Sequence, residues 1–170
     1  MTDINFDNRL GDHETVTLIE LLFFAYRDFV SDPDALLDQL GFGRAHHRVV
    51  HFVGRDPGMT VAQLLDILRI TKQSLGRVLK DLIDAGYVYQ KEGETDRRQR
   101  LLYLTAAGED LRQSLMAPQM ERIRRAVAET SGNGSASMRN ILYHLISPEN
   151  REVVTAWIDG AGAIGEKTGG

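Results

Sequence analysis

Apolar residues in the first part of the chain recur every three and four positions, at Val16, Ile19, Leu22, Phe23, Tyr26 and Phe29. That spacing lays a single stripe along a helix and predicts an amphipathic helix over residues 13–29. Ser31-Asp32-Pro33 ends it and opens a short helix over 34–40, because proline suits a first helical position and Asp32 can cap it. Gly41-Phe42-Gly43 breaks the chain before a third helix over 44–53, closed by the turn Gly54-Arg55-Asp56-Pro57-Gly58. Thr60 with Gln63 three residues later forms a capping box, and Val61, Leu64, Leu65 and Leu68 mark one face of the helix it opens. A tight turn at Arg69-Ile70 leads to a second N-cap, Thr71. Beyond it Leu75, Val78, Leu79, Leu82 and Ile83 keep the helical period and are expected to face the core, with Gly86 as the left-handed residue past the end.

After Gly86 the period changes. A strand-like segment over 88–91, a polar turn over 92–96 containing Gly93, and an alternating run over 100–104 read as a β-hairpin. Helix, short turn, helix and hairpin in this order make a winged helix. Thr105 caps a long helix reaching residue 130, with Pro118 inside it and a kink expected there. A break over 131–135 precedes helices over 137–145 and 148–159, and the Gly-rich tail from Gly160 is expected to be disordered. The expected fold is mainly α: a winged helix-turn-helix over 44–105 with a small β-hairpin wing. Residues 1–43 and 106–170 form a helical region around it within one compact chain.

The 170 residues suffice for a real core, and no apolar run approaches membrane-spanning length. The N-terminus, Met1-Thr2-Asp3-Ile4-Asn5, is acidic where a secretory signal would be basic, so a soluble, cytoplasmic protein is expected. The chain has no cysteine, which excludes disulfides, thiolate metal sites, cysteine nucleophiles and thiol redox sensing. Its net charge of -4 argues against a nucleic-acid binder only until the charge is divided along the chain. Residues 1–68 carry five basic side chains against eleven acids; residues 69–100 carry eight against five, a local excess of +3. Positive charge gathered on the helix-turn-helix and hairpin is the footprint of an anion-binding surface.

With the apolar face of the second helix turned inward, Gln73, Arg77, Lys80 and Asp84 line the opposite face, and Lys72 and Ser74 lie in its first turn. A major groove takes short polar and cationic side chains near a helix start and cations further along to meet phosphate, and Thr71, Lys72, Gln73, Ser74, Arg77 and Lys80 supply that set. The same residues also fit an ordinary solvated helix face. On the hairpin, Arg97, Arg98 and Arg100 crowd beside Asp96. One arginine could enter a minor groove while Asp96 braces it, or the group could be a turn ion pair of little energetic value.

The run Leu82, Gly86-Tyr87-Val88, Asp96-Arg97-Arg98, then Leu102-Tyr103-Leu104-Thr105-Ala106-Ala107-Gly108 resembles the MarR family of bacterial transcriptional regulators. The wing signature of that family is an acid, any residue, arginine, then a leucine-rich strand ending in Leu-Thr-x-x-Gly. The resemblance covers roughly residues 43–111. It implies a wing acid at Asp96, a minor-groove arginine at Arg98, and backbone or structural contacts from Arg97 and Arg100. Gln90 departs from the basic residue often found there, so the inner wing is less basic than usual. The resemblance further implies a homodimer built from the terminal helices, which agrees with the stripe from Val16 to Phe29 and with Val153, Val154, Trp157 and Ile158. Intramolecular packing of the same residues is the alternative. It implies a repressor bound to a pseudo-palindromic operator of double-stranded DNA, with half-sites about one helical turn apart.

His47 and His51 stand one helical turn apart, a spacing that can chelate a metal, but no carboxylate lies on that helix, and with His46 they are expected to pack or to line a pocket rather than to hold a metal. By the resemblance, a small anionic aromatic ligand would sit between the dimer helices and the winged helix, lined here by Phe23, Tyr26, Arg44, His47 and His51, with Arg44 its carboxylate partner. No cofactor is expected. Nor is an enzyme, since no nucleophile with a base, paired catalytic carboxylates or phosphate loop is found. The competing reading is a winged-helix protein-interaction module whose basic face meets an acidic partner.

Overall fold

A computed structural model describes residues 10–165. Eight helices and three strands follow in the order α1 (Asp12–Ser31), α2 (Asp34–Gln39), α3 (Arg44–Arg55), β1 (Met59–Thr60), α4 (Val61–Leu68), α5 (Lys72–Asp84), β2 (Val88–Glu92), β3 (Arg100–Leu104), α6 (Ala106–Glu129), α7 (Gly134–Leu145) and α8 (Pro148–Gly165). The antiparallel sheet has the order β1-β3-β2, with Val88 opposite Leu104 and Glu92 opposite Arg100. The strand β1 is not foreseen by periodicity, because two residues are too few to show a period. It forms because the turn at Gly58, φ +92°, presents Met59 and Thr60 to Leu102 and Leu101.

The core lies between α3, α4, α5, the sheet and the first half of α6. Leu64, Leu75, Leu82 and Leu102 are completely buried at its centre, with Val49, Val50, Val53 and Val88 around them. Each such side chain contributes about 1.5–3 kcal/mol through its removal from water. Leu111 and Leu115 of α6 close the core from the other side, so the long helix is anchored in the winged helix by its first three turns.

Four expectations need correction. Asp32 does not cap α2; Pro33 occupies the N-cap position without a side-chain bond, and Asp32 turns to Arg122 of α6 instead, accepting two hydrogen bonds of 2.6 Å. A bidentate guanidinium partner outcompetes a cap for a carboxylate. Ile83 is not in the core: it is 37% exposed in the last turn of α5, which ends one residue later. The helix at the C-terminus runs past Gly160 to Gly165, where a disordered tail was expected, and residues 166–170 and the N-terminal 1–9 lie outside the described residues. The third helix extends to Arg55, taking in part of the turn assigned to 54–58.

None of the residues of α1 is buried, and Ile19, Phe23 and Tyr26 are all more than half exposed. Ile141 of α7 and Val153 of α8 are exposed in the same way. Apolar faces of this extent are unusual on a monomer.

Candidate nucleic-acid interface

Thr71 starts α5 with its side chain, accepting the Ser74 N–H at 3.1 Å and donating to Ser74 Oγ at 2.8 Å. The two hydroxyls are therefore partly committed to the helix start. Lys72, Gln73, Arg77 and Lys80 follow on the exposed side while Leu75, Val78, Leu79 and Leu82 are buried. Lys80 is paired with Asp84 one turn on, whereas Lys72 and Arg77 make no ion pair among the described residues. The end of α5 is a Schellman motif: Tyr87 N–H donates to Leu82 O and Gly86 N–H to Ile83 O, with Gly86 at φ +79°.

A histidine that periodicity does not single out links α3 to α5. His46 Nδ1 accepts the Gly43 N–H at 3.0 Å, so the ring proton sits on Nε2 and donates to Asp81 Oδ2 at 3.0 Å. Its ring stacks on Phe42 at 4.6 Å. The spacing Gly43-x-x-His46 is that of a helix cap and its third residue, which is the signal that could have found it.

On the wing, Asp96 Oδ1 accepts the backbone N–H of Arg98 at 2.9 Å. The brace thus acts on the turn and not on a guanidinium, which leaves the Arg98 side chain without an ion pair among the described residues. Arg97 is likewise exposed, but Arg100 is drawn back, bonded to Glu92 at 3.3 Å and to the Arg97 carbonyl at 3.0 Å. Behind them Tyr89 and Tyr103 stack at 5.4 Å, and Lys91 lies over both rings.

The seam between wing and α6 explains the Leu104-Thr105-x-x-Gly108 motif. Thr105 Oγ1 donates to Gly86 O at 2.6 Å and accepts the Gly108 N–H at 3.0 Å, while its own N–H donates to Tyr87 O at 3.0 Å. Gly108 presses on the segment leading into β2 so closely that a Cβ there would lie 2.0 Å from Tyr87 O. Only glycine fits.

Between α1, α3 and α6 lies a crevice of about 280 Å³ lined by Tyr26, Phe29, Arg44, His47, Arg48, His51, Phe52 and Gln119, among others. Four of the five expected lining residues are there; Phe23 is not, since it points outward and is 65% exposed. Arg44 is already held by Asp34 through bonds of 2.7 and 3.1 Å, which also keeps the Asp34 carboxyl below its usual range. Burial lowers the pKa of both lining histidines, that of His51 to about 4 with Arg112, His47 and Arg55 adding to the effect. Both rings are neutral at pH 7, and His51 Nδ1 is buried with no hydrogen-bond partner among the described residues. Nearby arginines oppose a metal cation as they oppose a proton. A larger crevice, about 920 Å³, lies between α6, α7 and α8, far from the wing, and is lined mainly by apolar residues such as Ile123, Met138, Leu142 and Ile158.

Among the described residues no helix is long and apolar enough to cross a membrane. A family model described as MarR family matches residues 40–99. The HTH-type transcriptional regulator PetP of Rhodobacter capsulatus is 44% identical over 142 residues, covering 84% of this chain and 86% of that protein. Among solved structures, Streptococcus pneumoniae FabT in complex with DNA superposes with a TM-score of 0.64 at 20% identity, over 77% of this chain and 94% of that one. A Mycobacterium tuberculosis MarR family protein in complex with p-aminosalicylic acid superposes with a TM-score of 0.56 at 24% identity, over 76% and 98% of the two chains. With the fold, the wing signature and a relative of this identity in agreement, the chain belongs to the MarR family of winged-helix transcriptional regulators.

Proposed function

We propose that the protein acts in the cytoplasm as a homodimer that binds a pseudo-palindromic operator in double-stranded DNA and represses transcription by occupying a promoter. Each α5 enters a major groove, where Thr71, Gln73 and Ser74 meet base edges and Lys72, Arg77 and Lys80 meet phosphate. Each wing places Arg98 in the flanking minor groove, with Arg97 on the backbone. Arg100, tied to Glu92 and to the chain itself, contributes mainly by shaping the turn. The observation that carries this reading is the set of cations Lys72, Arg77, Arg97 and Arg98, without ion pairs among the described residues, on two neighbouring exposed elements of an acidic protein. The relative that is a transcriptional regulator and the neighbour solved with DNA support it.

The apolar faces of α1, α7 and α8 are the dimer surface, Phe23 among them. An anionic aromatic ligand occupies the crevice beneath α1. Since Arg44 is committed to Asp34, its carboxylate is met by Arg48, which makes no ion pair among the described residues. The neighbour solved with p-aminosalicylic acid supports a ligand of this class.

Selection of genomic DNA fragments on the purified protein, followed by sequencing, tests the proposal. The expected outcome is an enriched inverted repeat with half-sites about one helical turn apart. Absence of any enriched sequence overturns it and favours a protein-interaction module.

A further inference from the structure

Arg69 is the only non-glycine residue at positive φ among the described residues, at φ +51° and ψ +42°, where it ends α4 and forms the turn of the helix-turn-helix. Glycine would adopt this conformation more easily, so an arginine here carries a small backbone cost. Arg69 Nη2 donates to Asn150 Oδ1 at 2.8 Å, across 81 residues of sequence, and so ties the turn to the first turn of α8. A second contact joins the same two bodies: Trp157 of α8 meets Phe52 of α3 edge to face at 5.1 Å, with the Arg55 guanidinium 5.9 Å from the indole centre. Phe52 also lines the crevice beneath α1.

We infer that the Arg69–Asn150 bond is a positioning contact that sets the angle of the helix-turn-helix against the helical body, and through it the half-site spacing the dimer accepts. The inference rests on the DNA-binding reading for its consequence, not for its geometry. An exposed hydrogen bond adds little to stability. It does fix direction, because the planar guanidinium bonds along defined axes and Arg69 is anchored by its own N–H to Leu65 O at 2.8 Å. With Trp157 on Phe52 as the pivot, Arg69–Asn150 is the stop.

The chain has no native cysteine, so spin labels placed at Gln73→Cys on α5 and Glu152→Cys on α8 report the distance between the two bodies directly. Labelled chain is diluted in unlabelled chain so that each dimer carries one labelled protomer. The expected result is a single narrow distance distribution for the parent, a broad one for Asn150→Ala and for Arg69→Gly, and a narrow one again for Asn150→Asp, which keeps an acceptor for the guanidinium. Arg69→Gly also removes the positive-φ side chain, so its Tm should equal or exceed that of the parent, which separates loss of positioning from loss of fold. In unlabelled protein, inserting one base pair between half-sites should weaken parent binding on the order of tenfold, and clearly less in Asn150→Ala, with Asn150→Asp restoring the penalty. Distributions as narrow as the parent in both variants overturn the inference, as does a broadened distribution with an unchanged spacing penalty. If the parent retains no DNA duplex, the DNA-binding reading fails, and the distance measurement still decides whether the contact positions the turn.

Discussion

Replacing Arg98 with alanine removes one guanidinium from each wing and little else. The turn survives the change, because Asp96 holds the backbone N–H of residue 98 and not its side chain. The electrostatic effect then follows from counterion release, in which each phosphate neutralised on B-DNA adds about 0.9 to the slope of log affinity against log salt. Lys72, Arg77, Lys80, Arg97 and Arg98 are the cations placed on DNA, and a dimer doubles them, so the parent slope should be about 9. Arg98→Ala takes one contact from each protomer and should lower the slope by about 1.8. Between 50 and 200 mM salt, affinity should consequently fall about twelvefold less steeply in the variant than in the parent. Fluorescence anisotropy titrations of an operator duplex across that range measure both slopes. A variant slope indistinguishable from the parent would refute the placement of Arg98 on phosphate-lined DNA, even if absolute affinity dropped.

Gln73→Ala should act differently, narrowing the affinity gap between operator and random duplex while leaving the salt slope unchanged, as competition titrations at fixed salt will read. Gly108→Ala drives a Cβ against the Tyr87 carbonyl and should cost about 2–3 kcal/mol, a Tm drop of about 5–10 °C by calorimetry, whereas an unchanged Tm would mean the seam is loose. The His51 pKa is lowered from 6.5 to about 4 in the folded chain, so its contribution is fully present above pH 6.5 and is lost as pH falls toward 4. Urea unfolding at pH 7.5 and pH 5 should differ by about 1–2 kcal/mol from this group, after allowance for solvent reaching a half-buried ring, and His51→Gln should flatten the difference.

How much of this was legible beforehand depends on the range of the interactions involved. The capping pairs Thr60–Gln63 and Thr71–Ser74, the Gly86 helix end and the Thr105–Gly108 seam all act within a few residues, so their chemistry is written in local spacing. The sequence places Asp96 beside the arginines of the turn, but not its partner, which is the backbone N–H of Arg98 and not a guanidinium. A ligand crevice between the terminal helices and the winged helix is an expectation of the family resemblance alone, and which arginine of the observed crevice is uncommitted is not legible in the sequence. Arg44 and Arg48 are alike in sequence, and only the approach of Asp34, ten residues away on a different helix, neutralises the first. Phe23 shares the helical stripe of Tyr26 and Phe29, yet it faces away from the crevice because α1 touches the rest of the chain only near its end.

The sequence by itself determined the order of elements, the inward faces of α4 and α5, the wing and its family, because periodicity, caps and turn residues are short-range signals repeated along the chain. Only the tertiary structure decided which cations are already spent on a neighbour, that His46 rather than His47 bonds to α5, and that Arg69 reaches α8. Those outcomes depend on pairs of side chains brought together from ten to ninety residues apart, and a hydrogen bond formed across such distances leaves no period in the sequence.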